Sequence, residues 1–149
     1  MITINPYLVF NGNCKEAFDF YKSIFGGEFP YVGKFKDMPA NPEFKVSEDE
    51  LEKIMHISLP ISKETVLMGS DSSNSFGQAT LNGNNFSISI NADTKDETDR
   101  LFKALSEKGK VKMPLSTTFW GSYFGMLTDQ FGIHWMLSCA TENHKNYKQ

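Results

Sequence analysis

Apolar and polar positions along this chain fall into two series that pass through the same elements in the same order. Pro6–Phe10 reads as a strand, with Tyr7 and Val9 on one side and Leu8 and Phe10 on the other, because successive strand side chains point to opposite faces. Asn11-Gly12-Asn13 breaks it. Asn13, with Glu16 three residues on, makes a capping-box pattern, and Ala17, Phe18, Tyr21, Ile24 and Phe25 then recur at helical spacing. Gly26-Gly27 supplies the left-handed stop. Glu28–Phe35 can form a second strand. Lys36–Lys53, broken at Pro39 and Pro42 and acidic over Glu48-Asp49-Glu50, reads as a long surface loop, the kind that more often serves as a lid than as core. Ile54–Leu59 alternates cleanly and Thr65–Met68 gives another short strand. Ser70–Gly83, rich in Ser, Asn and Gly, is the natural linker.

The pattern then begins again. Phe86–Ile90 is a strand, Thr94-x-x-Glu97 is a second capping box, and Leu101, Phe102 and Leu105 make the helical stripe before Gly109. Strands follow around Val111–Met113, Tyr123–Thr128 and Ile133–Ser138. An offset of 81 brings Tyr7-Leu8-Val9 onto Ile88-Ser89-Ile90 and Phe20–Ile24 onto Leu101–Leu105. A fixed-offset repeat predicts two modules of strand-helix-strand-strand-strand, each needing another sheet against its open face. Module one spans about residues 1–72, the linker about 70–83, module two about 84–139, and a patternless polar tail 140–149. The whole is read as one domain.

In the last strand an Asp129-x-x-Gly132 turn tips into Ile133, Trp135 and Leu137 on one face and His134 and Met136 on the other. That second face is the expected wall of a binding cleft. His56 falls on the same phase of its own strand. An imidazole titrates near neutrality, so either histidine there could act as a general base or as a hydrogen-bond donor. A satisfied histidine between two strands is the plainer alternative for both. His144 belongs to the tail.

Composition changes this picture mainly by exclusion. With 149 residues, 22% charged, 40% hydrophobic and a formal charge of −3, the chain lacks the basic face that a nucleic-acid partner calls for. No apolar run approaches the roughly 20 residues needed to span a bilayer, and Met1 leads into a strand-like stretch without a signal-peptide pattern. A cytoplasmic protein is expected, with Cys14 and Cys139 as reduced thiols. Neither GxSxG nor HExxH occurs, and no glycine-rich phosphate loop opens a helix. Leu8, Phe10, Met55, Phe119, Trp120, Phe124, Met126 and Met136 supply more aromatic and methionine surface than one small core requires, which suits an irregular cavity wall.

Pro6-Tyr7-Leu8, Phe10-Asn11-Gly12-Asn13, Ala17–Lys22 with Phe25-Gly26-Gly27-Glu28, Met55-His56, Leu67-Met68, Asp71, Gly83–Ser87, Met113-Pro114-Leu115, Phe119-Trp120-Gly121 and Phe131–Met136 occur in this order along nearly the whole chain. The set resembles the PhnB-like branch of the vicinal oxygen chelate superfamily, which includes glyoxalase I, bleomycin-resistance proteins and extradiol dioxygenases. The resemblance implies an α+β fold of two βαβββ modules whose curved mixed sheet surrounds a cleft, and commonly a homodimer. Its metal-dependent members hold a divalent ion with His and Glu. Those positions correspond here to Pro6, Met68, Ser87 (Phe86 in the neighbouring register) and Met136. Pro offers no donor, Ser is a poor ligand and thioethers favour soft metals, so no metal and no other cofactor is expected. Labels that place the branch among ubiquinone-pathway methyltransferases find no strand, glycine-rich loop and helix for a nucleoside cofactor.

The expectation is therefore a metal-free protein that holds a small, largely apolar organic molecule in a cleft lined by Leu8, Phe10, Met68, Ser87, Ser89, Trp120, Phe124 and Met136. A lyase, isomerase or dioxygenase-like enzyme using His134 or His56 on a small carbonyl or aromatic substrate is the alternative. A non-catalytic interaction module is a third.

Overall fold

The structure, a computed structural model, describes residues 1–43, 45–74 and 80–140. They form two compact units, Met1–Leu81 and Asn82–Gln149. The first holds β1 (Tyr7–Phe10), α1 (Cys14–Phe25), β2 (Tyr31–Lys34), β3 (Ile54–Pro60) and β4 (Val66–Asp71), with sheet order β1-β4-β3-β2. The second holds β5 (Ile88–Ala92), α2 (Lys95–Ser106), β6 (Lys110–Thr117), β7 (Ser122–Thr128) and β8 (His134–Ala140), with order β5-β8-β7-β6. In each, the first strand runs parallel to the last and the other neighbours are antiparallel. These are two βαβββ modules, an α+β fold. Among the described residues no helix is long and apolar enough to cross a membrane.

The helices repeat at an offset of 81, Cys14 to Lys95 and Phe25 to Ser106, whereas β3 and β7 repeat at 68, Ile54 to Ser122 and Pro60 to Thr128. The shortening falls between helix and third strand, where only the first module carries the long excursion before β3. That excursion is more than a surface loop. Two 3-10 turns, Phe35–Asp37 and Glu48–Glu50, bracket it, and Phe35 N–H to Lys53 O (3.1 Å) and Lys36 N–H to Leu51 O (3.0 Å) close its neck. The Glu50 carboxylate is buried and accepts from Ser73 Oγ (2.6 Å) and Asn74 N–H (2.9 Å), which hold it below the usual carboxylate range. Glu52, bound by Lys34 and Lys36, titrates at about 2. The polar linker also begins later than its composition suggests, because β4 continues through Asp71. The rest of the linker around 75–79, and the tail from 141, lie outside the described residues.

Helix α1 begins where expected, but the Asn13 side chain makes no cap bond. Asp71, at the end of β4, caps it instead: Oδ1 accepts from Gly12 N–H and Cys14 N–H, each at 3.0 Å, and Oδ2 from Ile54 N–H at 2.9 Å. One buried carboxylate thus joins helix, β3 and β4; burial, and to a lesser degree this carboxylate, pushes the Cys14 thiol pKa up. Helix α2 follows the local rule, with Thr94 Oγ1 accepting from Glu97 N–H at 3.1 Å. Glu97 itself turns to Arg100.

Each helix covers one face of its own sheet. Leu8, Phe10, Phe18, Tyr21, Ile57, Leu59 and Leu67 are buried in the first module, with Phe18 edge-on to both Phe10 and Tyr21. Leu101, Phe102, Leu105, Leu127, Trp135 and Leu137 are buried in the second. Glycine is required under both helices, since a Cβ on Gly69 would lie 2.6 Å from the Phe18 ring and one on Gly125 2.9 Å from the Phe102 ring. Leu8 and Phe10 are therefore core beneath α1, not cleft lining. Burial of each is worth about 1.5–3 kcal/mol to the module.

Candidate functional site

The faces turned away from the helices hold most of the candidate site residues. On the first sheet the pairing Tyr7↔Met68↔Ser58↔Tyr31 forms one row of side chains across all four strands. His56 sits in the next row, opposite Gly33. Its ring stacks on Tyr7 (5.6 Å between centroids) and lies tilted against Tyr31 (5.9 Å), and Tyr7 Oη is 3.2 Å from Nδ1. Tyr31 can fold over the strand because Gly33 is bare: a Cβ there would come within 2.5 Å of the Tyr31 hydroxyl. Both tyrosines are 47% exposed. The result is a shallow aromatic patch with one imidazole inside it, whose Nε2 has no partner among the described residues.

On the second sheet the corresponding row is Ser89↔Met136↔Met126↔Met113. Phe124, opposite Ser138 and Ser116, extends it on one side. His134, opposite Thr128, extends it on the other. Met126, Met136 and Phe124 are half-buried and Met113 is exposed. Asp129 sets the entry to β8: its Oδ1 accepts from Phe131 and Ile133 N–H, its Oδ2 from Trp135 Nε1, and Gly132 takes φ 88°. That turn fixes the phase that turns His134 and Met136 outward.

The polar partners of His134 decide what it can do. Nε2 lies 2.8 Å from the Gly83 carbonyl, which only accepts, so Nε2 carries the proton. Nδ1 is then an acceptor, taking the Thr128 hydroxyl at 2.9 Å, with Lys112 Nζ at 3.5 Å. Both ring nitrogens are engaged in tying the chain before β5 to β7 and β8. Such a ring has no lone pair to offer as a base.

The other expected site residues are distributed as follows. Met68, Ser89, Phe124 and Met136 stand on the open faces, each within its own module, and Ser87 is half-buried just ahead of β5. Trp120 is not on a sheet face. It belongs to the β6–β7 turn closed by Thr118 and Ser122, half-exposed and edge-on to Phe119 at 4.9 Å. Tyr7, Tyr31, Thr128 and Lys112 were not singled out by the sequence. The alternation of β1 does separate Tyr7 from Leu8, but nothing local says which phase the helix covers.

The residues at the superfamily's metal positions do not fit a hard divalent ion. Tyr7, not Pro6, stands beside Met68 on the open face, and Ser87 and Met136 offer one hydroxyl and one thioether. Among the described residues no group of three or more His, Cys, Asp or Glu side chains converges. Nor does the start of α1 fit a phosphate-bearing cofactor, because the N–H groups of Gly12 and Cys14 are already bound to Asp71. A further concavity of about 480 Å³ opens within the 35–51 segment, between Phe35, Met38, Pro39, Val46 and Leu51.

The family model described as 3-demethylubiquinone-9 3-methyltransferase matches residues 2–138. Protein YjdN of Escherichia coli is 32% identical over 93% of this chain and 96% of its own. The crystal structure of PA1353 from Pseudomonas aeruginosa superimposes with a TM-score of 0.80 at 42% identity, over 95% of this chain and 100% of that one. The PhnB protein from Bacillus cereus gives 0.70 at 25%, over 93% and 100%. A glyoxalase/bleomycin resistance protein from Albidiferax ferrireducens, 16% identical with a TM-score of 0.59 over 91% and 95%, shares the fold.

Proposed function

This chain belongs to the PhnB-like family of glyoxalase-fold proteins, and from that premise we propose that it binds a small, largely apolar organic molecule without a metal ion. The observation that carries the reading is the row Ser89–Met136–Met126–Met113. Here thioethers fill an accessible sheet face, with Met136 at a position where metal-dependent relatives place a carboxylate ligand. Flexible, polarisable methionines suit an apolar guest of irregular shape. The methyl transfer in the family's description finds no cradle for its donor in these residues. As the family resemblance implies, the protein acts as a homodimer; among the described residues β1 and β5 each leave an outer edge unpaired for assembly to cover.

A neutral naphthalene probe, 2-naphthylmethanol, tests this in fluorescence titrations with the metal-stripped protein. Saturable binding is expected, and Met136→Glu should weaken it about tenfold by setting a charge in the apolar row. Absence of saturable binding, or binding that needs added Zn, Ni, Mn or Fe, overturns the proposal.

A second reading rests on His56. Its Nε2 is open and its Nδ1 is oriented by Tyr7, so proton transfer from a bound carbonyl compound belongs to His56 rather than to His134.

A further inference from the structure

Strand β6 slips against β7 at two places, between Val111 and Met113 and again between Met113 and Ser116; at the first, Val111 pairs with Leu127 and Met113 with Met126, leaving Lys112 as an extra residue in a bulge. A bulge re-aims the residue it inserts. Lys110 pairs with Thr128 and Met113 with Met126, both on the open face, so regular alternation cannot place an additional residue between them on that side. The bulge does. Lys112 Nζ reaches to 3.5 Å from His134 Nδ1, beside the methionine row.

What marks this ammonium is its place beside the methionine row, against an imidazole and without a carboxylate among the described residues. Lys34, Lys36, Lys15 and Lys22 each hold a carboxylate at 2.6–2.9 Å. Lys112 holds none among the described residues, and its one hydrogen-bond partner is the imidazole already occupied by Thr128. Lys110, on the same face opposite Thr128, also lacks a carboxylate partner among the described residues. Glu50, Asp71 and Asp129, the buried acids, serve backbone and side-chain donors elsewhere. The open face of the second sheet thus has an apolar row ending in positive charge that the described residues leave uncompensated.

We propose that this face takes an amphiphilic monoanion, an organic carboxylate whose apolar body lies along Met136, Met126 and Met113 and whose carboxylate meets Lys112. The proposal rests on the binding reading above and adds the ligand's charge to it. The Thr128–His134–Gly83 chain acts as positioning support: it fixes the imidazole in place, so that the ammonium has the open side to itself.

The test uses the full chain and two probes of one shape, 2-naphthoate and 2-naphthylmethanol. Wild-type protein should prefer the carboxylate by about tenfold, the scale of one charge-assisted hydrogen bond. Lys112→Met should erase that preference while leaving the alcohol's affinity unchanged. Lys103→Met, which removes the same charge from the helix on the other face, should keep it. Equal affinity for the two probes in the wild type, or a preference that survives Lys112→Met, overturns the anion site and leaves the apolar reading standing. Failure of both probes to bind overturns both.

Discussion

The two modules share one plan and solve the same problems differently. Helices α1 and α2 have the same length, yet Asp71 caps α1 from far along the chain, while Thr94 caps α2 from the adjoining residue. The open faces diverge as well. The first carries a Tyr7–His56–Tyr31 stack, and the second a methionine row with lysines at one end. A duplicated fold can therefore keep its backbone and core while its exposed rows and helix caps drift independently. What the modules hold in common is core. What differs is the make-up of the open rows and the reach of the helix caps.

This contrast can be broken most forcefully at Asp71. Asp71→Ala strands three backbone N–H groups, two of them in buried surroundings, and should cost about 3 kcal/mol in urea denaturation. Loss confined to a few tenths would mean that Asn13 takes over the cap. Next comes His134→Ala, which unpairs Gly83 O and Thr128 Oγ1 and should lower stability by about 2 kcal/mol. Because the imidazole has no free lone pair, affinity for 2-naphthylmethanol should change less than stability does. A large drop in affinity with an unchanged melting temperature would return His134 to the ligand. The smallest effect is expected from Thr94→Ala, about 1 kcal/mol, as for a local cap. If it matches Asp71→Ala, the two caps are energetically alike and the contrast is only geometric.

Legibility followed the same divide. Periodicity and turn residues located both helices, and every strand within a few residues, because they act locally. The face of β1 was not legible: a four-residue strand with Tyr7 and Val9 on one phase and Leu8 and Phe10 on the other is apolar on both. The repeat offset made this worse. The helices align at 81, but Tyr7 beside Met68 corresponds to Ser89 beside Met136, which is 82. A slip of one residue exchanges the two faces of a strand, which is how Leu8 and Phe10 came to be expected in the cleft. His134 was visible as a candidate, yet its Nε2 is taken up by a carbonyl 51 residues away. Lys112 reaches its position through a bulge, and bulges leave no periodic trace.

The pinned neck of the first module's excursion has a consequence for how this chain can be altered. Phe35, Lys36, Leu51 and Lys53 fasten its two ends together, and Glu50 anchors the base to Ser73 and Asn74. Residues 38–43 and 45–47 lie beyond that neck, outside every strand. Doubling the length of such a stretch costs only about 0.6 kcal/mol of closure entropy. A foreign peptide or fluorophore-binding tag spliced in there would hang from a fixed socket, making this the place to attach a reporter while both open faces stay as they are.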